Sequence, residues 1–247
     1  MKLCGKNPVR ERIKSNPGSI KKLYLQKKTD LSKIVILAKE AGLEFESVER
    51  SRLESLCPGE HTQGVVAEVS EFIYTPFTEL VDKCLNKKEI LVFLDGITDP
   101  QNIGSIIRTL ACMGGFSLVL AEHGAPEINE TILRVANGGE NHVKISTVTN
   151  IATTISRIKE RNIRIAGGVI DPDSVDVLSA DLSRPLAIVI GSEGKGIRPG
   201  IQKILDIKVK LPMRGVDLSY NAAIAAAIFC YEMIRDRGLP EINEIKE

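Results

Sequence analysis

The chain has 247 residues, 43% of them hydrophobic and 26% charged, enough to bury a core in one large domain or two modest ones. Aromatic residues make up only 4%, which argues against recognition through an extensive base-stacking platform. The net charge is +1, but residues 1–28 carry nine Lys/Arg against one acid, Glu11, a local charge of +8 that leaves −7 for the rest. A basic end on a mildly acidic body suits a polyanionic partner, and a solvated helix face accounts for the same run equally well.

In chain order, Gly5, Asn7 and Pro8 make a turn that an amphipathic helix can follow. Ile20–Leu25 is a strand candidate, and Asp30 can cap a helix from Leu31 to about Ala41, closed by Gly42. A short strand in LEFESV, a helix in SRLESL, a turn at Pro58-Gly59 and the apolar strand GVVAEV complete a small αβ unit. Residues 1–72 therefore read as one domain, and 73–89 as a linker holding Pro76, a helix-like piece at Thr78–Leu85 and the polar run Asn86–Glu89.

From residue 90 to 247 strands and helices alternate. Strands are expected at Ile90–Leu94, Ser117–Ala121, His142–Ile145, Ile163–Val169, Leu186–Ile190 and Ile207–Leu211. Helices are expected at about Gln101–Met113, Asn129–Ala136, Asn150–Glu160, Pro199–Leu205 and Asn221–Arg237, the last ended by Gly238 and Pro240. Alternating βα units predict an α/β fold with a mostly parallel sheet covered on both faces.

The five cysteines are odd in number, scattered and free of any C-x-x-C, which argues against a disulfide framework and a zinc site. The three histidines show no ligand spacing, and the acid-rich VIDPDSVDV reads as a turn without a metal pattern. No leader-like start and no charge-free apolar run of spanning length is visible, so a cytoplasmic location is expected.

Three stretches carry chemistry: DPQNIGSIIRTL at Asp99–Leu110, GSEGKGI at Gly191–Ile197, and LPM…SYNAAIAAAIFCYE from Leu211 to Glu232. In their order and spacing they resemble the three motifs of the SpoU (TrmH) family of RNA ribose 2′-O-methyltransferases, of the SPOUT class. The likeness covers the chain from about Ile90 onward, with Tyr220 where the family usually has Leu. GKNPV near the start and HTQGVVAEV at His61–Val69 resemble the RNA-binding extension of one branch of the family; His61 is read as a turn residue.

The resemblance implies a parallel-sheet SPOUT domain with a C-terminal trefoil knot, plus a small N-terminal αβ RNA-binding domain. It implies S-adenosyl-L-methionine as cofactor, no metal, and a homodimer formed through the knotted domain. The implied substrate is a guanosine of large-subunit (23S-type) ribosomal RNA. A tRNA ribose methyltransferase and a non-catalytic RNA-binding protein are the competing readings. A Rossmann-type nucleotide enzyme is disfavoured because no G-x-G-x-x-G follows a first strand.

Residue by residue, Asn102 and Arg108 match the family's active-site Asn and Arg. Taken alone, they read as a helix-start residue and a surface cation. A guanidinium, with a pKa above about 12, is a poor base, so Arg108 is better suited to bind phosphate and stabilise a developing alkoxide. Glu193 is the second motif's acid, placed either to hold the knot loop or target nucleotide or to cap a turn. Ser219 and Asn221 form the third motif's polar pair, at a helix start where capping is also open to them. Cofactor contacts are expected from Ile190, Gly191, Leu211, Met213, Ser219 and Tyr220.

Overall fold

Pro100 at the start of one helix and apolar runs such as ILVFLD and LAIVIG set the frame of a computed structural model describing residues 1–86, 89–215 and 218–235. The chain divides into two compact units. The first gathers Met1–Tyr74, Asp99–Cys112 and Pro126–Lys144; the second gathers Thr75–Thr98, Met113–Ala125 and Ile145 onward.

In the first unit a four-stranded sheet has the order β1-β4-β2-β3. The strands are β1 (Lys2–Cys4), β2 (Ile20–Gln26), β3 (Glu46–Val48) and β4 (Val65–Val69). β4 runs antiparallel to β1 and β2, and β2 parallel to β3. The helices are α1 (Lys6–Ser15), α2 (Ser32–Glu40), α3 (Arg50–Leu56), α5 (Pro100–Met113) and α6 (Glu130–Ala136), with α4 (Phe77–Leu85) lying in the second unit. Asp30 Oδ1 accepts from Ser32 N at 3.1 Å and so fixes the start of α2. Tyr24, Val48, Leu53, Leu56 and Val66 form a buried cluster.

In the second unit a seven-stranded sheet has the order β7-β6-β5-β10-β8-β11-β9. Its strands are β5 (Ile90–Asp95), β6 (Phe116–Ala121), β7 (Lys144–Val148), β8 (Arg164–Gly168), β9 (Val175–Asp176), β10 (Leu186–Gly191) and β11 (Ile207–Lys210). The pairings among β5, β6, β8, β9, β10 and β11 are parallel. This is the expected α/β class. Parallel strands buried on both faces carry unbroken apolar sequence, and every residue of β5 is buried. On one face Leu91, Phe93, Ala187 and Val189 meet Leu80 and Val81 of α4 and Ile151, Ile155 and Ile158 of α7 (Ile151–Lys159). Each such side chain taken fully from water contributes about 1.5–3 kcal/mol. The spacing 151, 155, 158 is the apolar stripe of an amphipathic helix, capped by Asn150, whose Oδ1 accepts from Thr153 N.

Several expectations need correction. The strand expected at His142–Ile145 is shifted two to three residues onward: Gly138 is left-handed, residues 139–141 make a 3-10 turn closed by His142, and β7 runs Lys144–Val148. The helix expected at Pro199–Leu205 is the single turn α8 (Pro199–Gln202). Two strands were not anticipated, β1 and β9, the latter inside the acid-rich turn. The first has a covalent consequence: it places Cys4 beside Cys57, just past α3, and the two form a disulfide, contrary to the cysteine count. The final helix, α9, runs Ala222–Arg235; its expected end at Gly238 and Pro240 lies outside the described residues. No helix among the described residues is long and apolar enough to cross a membrane.

Candidate active site

β10 delivers the chain to a glycine-rich hairpin in the second unit. Ser192 and Gly196 form an antiparallel bridge, with Gly196 N donating to Ser192 O at 2.9 Å. Gly194 and Gly196 hold positive φ, +77° and +63°, which the tight reversal requires. The reversal folds back onto the end of its own strand: a Cβ on Gly191 would lie 2.2 Å from the Gly196 carbonyl carbon and 2.4 Å from Ile197 N. Only glycine leaves room for that backbone.

The hairpin is pinned to β5. The Asp95 side chain is fully buried, and its Oδ2 accepts from Arg198 N at 2.8 Å. Its Oδ1 takes Arg198 Nε at 2.7 Å and Nη2 at 2.7 Å. Three donors, two of them charged, hold one carboxylate. Gln202 Nε2 adds a bond to Ile197 O at 2.6 Å, fixing the hairpin's exit.

Beneath this hairpin lies a cavity of about 300 Å³. Its walls come from the end of β8 (Gly168–Ile170), residues 190–197, the end of β11 with Leu211 and Met213, and the start of α9 with Ser219 and Tyr220. All six residues expected from the sequence to contact the cofactor, Ile190, Gly191, Leu211, Met213, Ser219 and Tyr220, line it. Lys195, Gln202, Gly168 and Phe229 also line it and were not nominated. A Cβ on Gly168 would sit 2.8 Å from the Phe229 ring, so strand and helix approach closely there.

The N-terminus of α9 closes the cavity edge. Asn221 Oδ1 accepts from Ala223 N at 2.9 Å and Ile224 N at 3.3 Å, the geometry of an N-cap. Asn221 Nδ2 donates to Glu193 Oε1 at 2.6 Å, and the same oxygen accepts from Ala222 N at 3.2 Å. Glu193 therefore spans from the hairpin to the positive end of α9, where a carboxylate is electrostatically favoured. Tyr220 Oη donates to Pro212 O at 3.3 Å, closing the loop before the helix on itself.

Asn102 and Arg108 lie on α5, in the first unit. Asp99 caps this helix, its Oδ1 accepting from Gln101 N at 2.9 Å, and Pro100 occupies the first turn. Asn102 is partly buried and Arg108 exposed. Gly104 on the same helix permits contact with α6, since a Cβ there would lie 2.6 Å from Val135 Cβ. Among the described residues no three His, Cys, Asp or Glu side chains are placed to hold a metal ion.

Comparison with known proteins accords with this geometry. Residues 89–231 match the SpoU rRNA Methylase family, and residues 2–75 match the domain described as RNA 2′-O ribose methyltransferase substrate binding. A Bacillus subtilis (strain 168) protein named as a TrmH family tRNA/rRNA methyltransferase is 35% identical over 241 residues, covering 96% of both chains. AviRb from Streptomyces viridochromogenes, a SpoU methyltransferase crystallised with AdoMet, superposes with a TM-score of 0.79 at 23% identity, over 96% of this chain and 90% of that one. The TrmH/SpoU tRNA modifying enzyme of A. aeolicus gives 0.55 at 28% identity, over 68% of this chain and 90% of that one. The chain belongs to the SpoU family of RNA methyltransferases.

Proposed function

We propose that this protein transfers the methyl group of S-adenosyl-L-methionine to a ribose 2′-hydroxyl of structured RNA, with a guanosine of large-subunit ribosomal RNA as substrate. The observation that carries the reading is the cavity under the Gly191–Ile197 hairpin, walled by the second and third motifs and closed by the Glu193–Asn221 bond. Its volume is at the low end for small-molecule sites, and its mostly apolar walls with nearby backbone groups suit an adenosine bearing a short charged tail. Ile190, Gly191, Leu211, Met213, Ser219 and Tyr220 would hold the cofactor, the glycine by admitting backbone contact.

When bound, the cofactor supplies a methyl carbon already activated by the sulfonium charge. The protein's task is then orientation and the handling of one proton. A guanidinium is a poor base, so the role of Arg108 is to bind a substrate phosphate and to stabilise the alkoxide as it forms. Asn102 orients the ribose. Glu193 is unsuited to act as a free base because Oε1 already accepts two N–H donors; it holds the hairpin to α9. Asn221 uses both ends of its amide in that structure, and Ser219 beside it faces the cavity.

The rest of the reading has more general support. Residues 1–72 serve as the RNA-binding domain, 73–89 as a linker and 90–247 as the catalytic domain, in keeping with the two family matches. The last segment threads a trefoil knot, a reading that rests on membership of the SpoU family. Two copies pair through α9, which leaves Ile224 52% and Tyr231 54% exposed seven residues apart on one side. The protein works in the cytoplasm, where its RNA substrate is made.

Nucleoside mass spectrometry tests the reading. Unmodified rRNA and tRNA pools are incubated with the protein and methyl-labelled cofactor, beside Arg108→Ala. A labelled 2′-O-methylguanosine from rRNA, lost in the variant, is expected. Label confined to tRNA would move the substrate, a labelled base methyl would overturn ribose chemistry, and no label with no cofactor binding would leave an RNA-binding protein.

A further inference from the structure

A second glycine-bearing segment, Asn137–His142, lies in the first unit between two helices that matter for different reasons. On one side is α1, in the basic N-terminal stretch. Gly138 has φ +95°, and a Cβ there would lie 2.8 Å from Glu11 Cβ. Glu11 Oε2 lies 3.2 Å from His142 Nε2. Arg12 Nη2 donates to Glu140 Oε1 at 3.1 Å, and Asn141 Nδ2 donates to the same oxygen. The other side of the segment meets α5: a Cβ on Gly139 would lie 3.0 Å from the Cα of Arg108 and 3.2 Å from Ala111 Cβ.

The pair is expensive. The side chains of Arg12 and Glu140 are 5% and 0% exposed. Arg12 Nε and Glu140 Oε2 are buried without a hydrogen-bond partner. Burial pushes the Glu140 carboxyl upward even beside the guanidinium. An apolar pair of the same volume would serve stability as well or better, so ions retained here point to a demand on geometry.

We propose that Arg12 and Glu140 are positioning residues for Arg108. Their contact clamps Asn137–His142 between α1 and the backbone of Arg108, so that the placement of the guanidinium depends on the docking of the N-terminal helix. This rests on the reading of Arg108 as a substrate-contacting group.

Two variants test it in the full-length protein. Arg12→Met/Glu140→Leu removes both ions and leaves no stranded charge. Gly139→Ala presses on the Arg108 backbone without altering any ion, and Gly139 is not at positive φ. Each is expected to lower kcat about tenfold or more, with cofactor Kd and RNA KM changed less than about twofold. In an Arg108→Lys background neither should lower the remaining turnover further, because a residue acting through Arg108 has nothing left to position. Unchanged kcat in Gly139→Ala, or losses that simply add in the Arg108→Lys background, would overturn the proposal. If the wild type methylates no RNA, the functional reading fails on its own. Amide hydrogen exchange across Thr109–Cys112 then reads the clamp directly: faster exchange in both variants upholds it and unchanged exchange overturns it.

Discussion

Two arginine–carboxylate pairs anchor glycine-bearing segments in this protein, under opposite solvation. In the second unit Asp95 is buried, but Arg198 keeps its side chain 62% exposed, so only one ion has left water. That carboxylate gains a backbone N–H and two guanidinium contacts, and little is left unsatisfied. In the first unit both Arg12 and Glu140 are out of water, each with an unpartnered polar atom. The first arrangement fixes a loop at modest cost. The second leaves Arg12 Nε and Glu140 Oε2 buried and unpaired, the pattern expected of a pair kept for shape rather than for stability.

Removing one ion separates the two most sharply. Glu140→Ala strands a buried guanidinium and should destabilise the protein by about 3–5 kcal/mol, read by urea unfolding. The double Arg12→Met/Glu140→Leu variant should recover most of that loss. If the single and double variants are equally unstable, the pair is held for stability and the contrast with Asp95 fails.

Gly191→Ala tests the second unit at its tightest point. The new methyl meets backbone at 2.2 Å, with no flexible side chain to yield. Overpacking of about 1–3 kcal/mol predicts roughly ten- to hundredfold weaker cofactor binding by calorimetry. Asp95→Asn should do less. It replaces one acceptor by a donor facing Arg198, costing about 0.5–1.5 kcal/mol, because Arg198 can turn to solvent. Its cofactor affinity should fall while its RNA KM stays put; an affinity equal to wild type would mean the hairpin holds its form without the clamp.

The contrast also explains what the sequence could and could not reveal. The apolar runs at β5 and β10, the Asp99-Pro100 helix start and the Asn150 cap are local signals, and each element lies where its residues predict. The cavity lining was legible through motif residues, Gly191, Leu211, Met213, Ser219 and Tyr220, because they sit in short motif stretches. The pairs Asp95–Arg198 and Arg12–Glu140 are separated by 103 and 128 positions, and no periodicity or spacing reports them. β1 was hidden because three residues are too few for an alternating pattern. Without β1 nothing brought Cys4 to Cys57. β9 was masked by acids that a turn explains as well.

The smallest expected effect concerns the solvated neighbour of the buried pair. Burial alone would raise the Glu11 carboxyl, but hydrogen bonds from Arg10 and His142 and the nearby Lys14 and Arg10 charges outweigh it, so its pKa falls below the ordinary 4.5. A depressed folded-state pKa means the ionised carboxylate stabilises the fold above the unfolded value. That contribution is lost as pH falls through the folded value. Glu11→Gln should therefore cost about 0.2–1 kcal/mol at pH 7, and the gap to wild type should close below pH 4.5. Glu140 runs the other way: its carboxyl is raised, so its effect on stability is most favourable below the unfolded pKa and is lost as pH rises through the folded value. Urea midpoints for wild type and Glu11→Gln across pH 3.5 to 7 check the sign. A gap that stays constant on acidification would show that the Glu11 contacts on Gly138 and His142 act through packing rather than charge, which would leave the buried Arg12–Glu140 pair to carry the electrostatic tie between α1 and the segment behind Arg108.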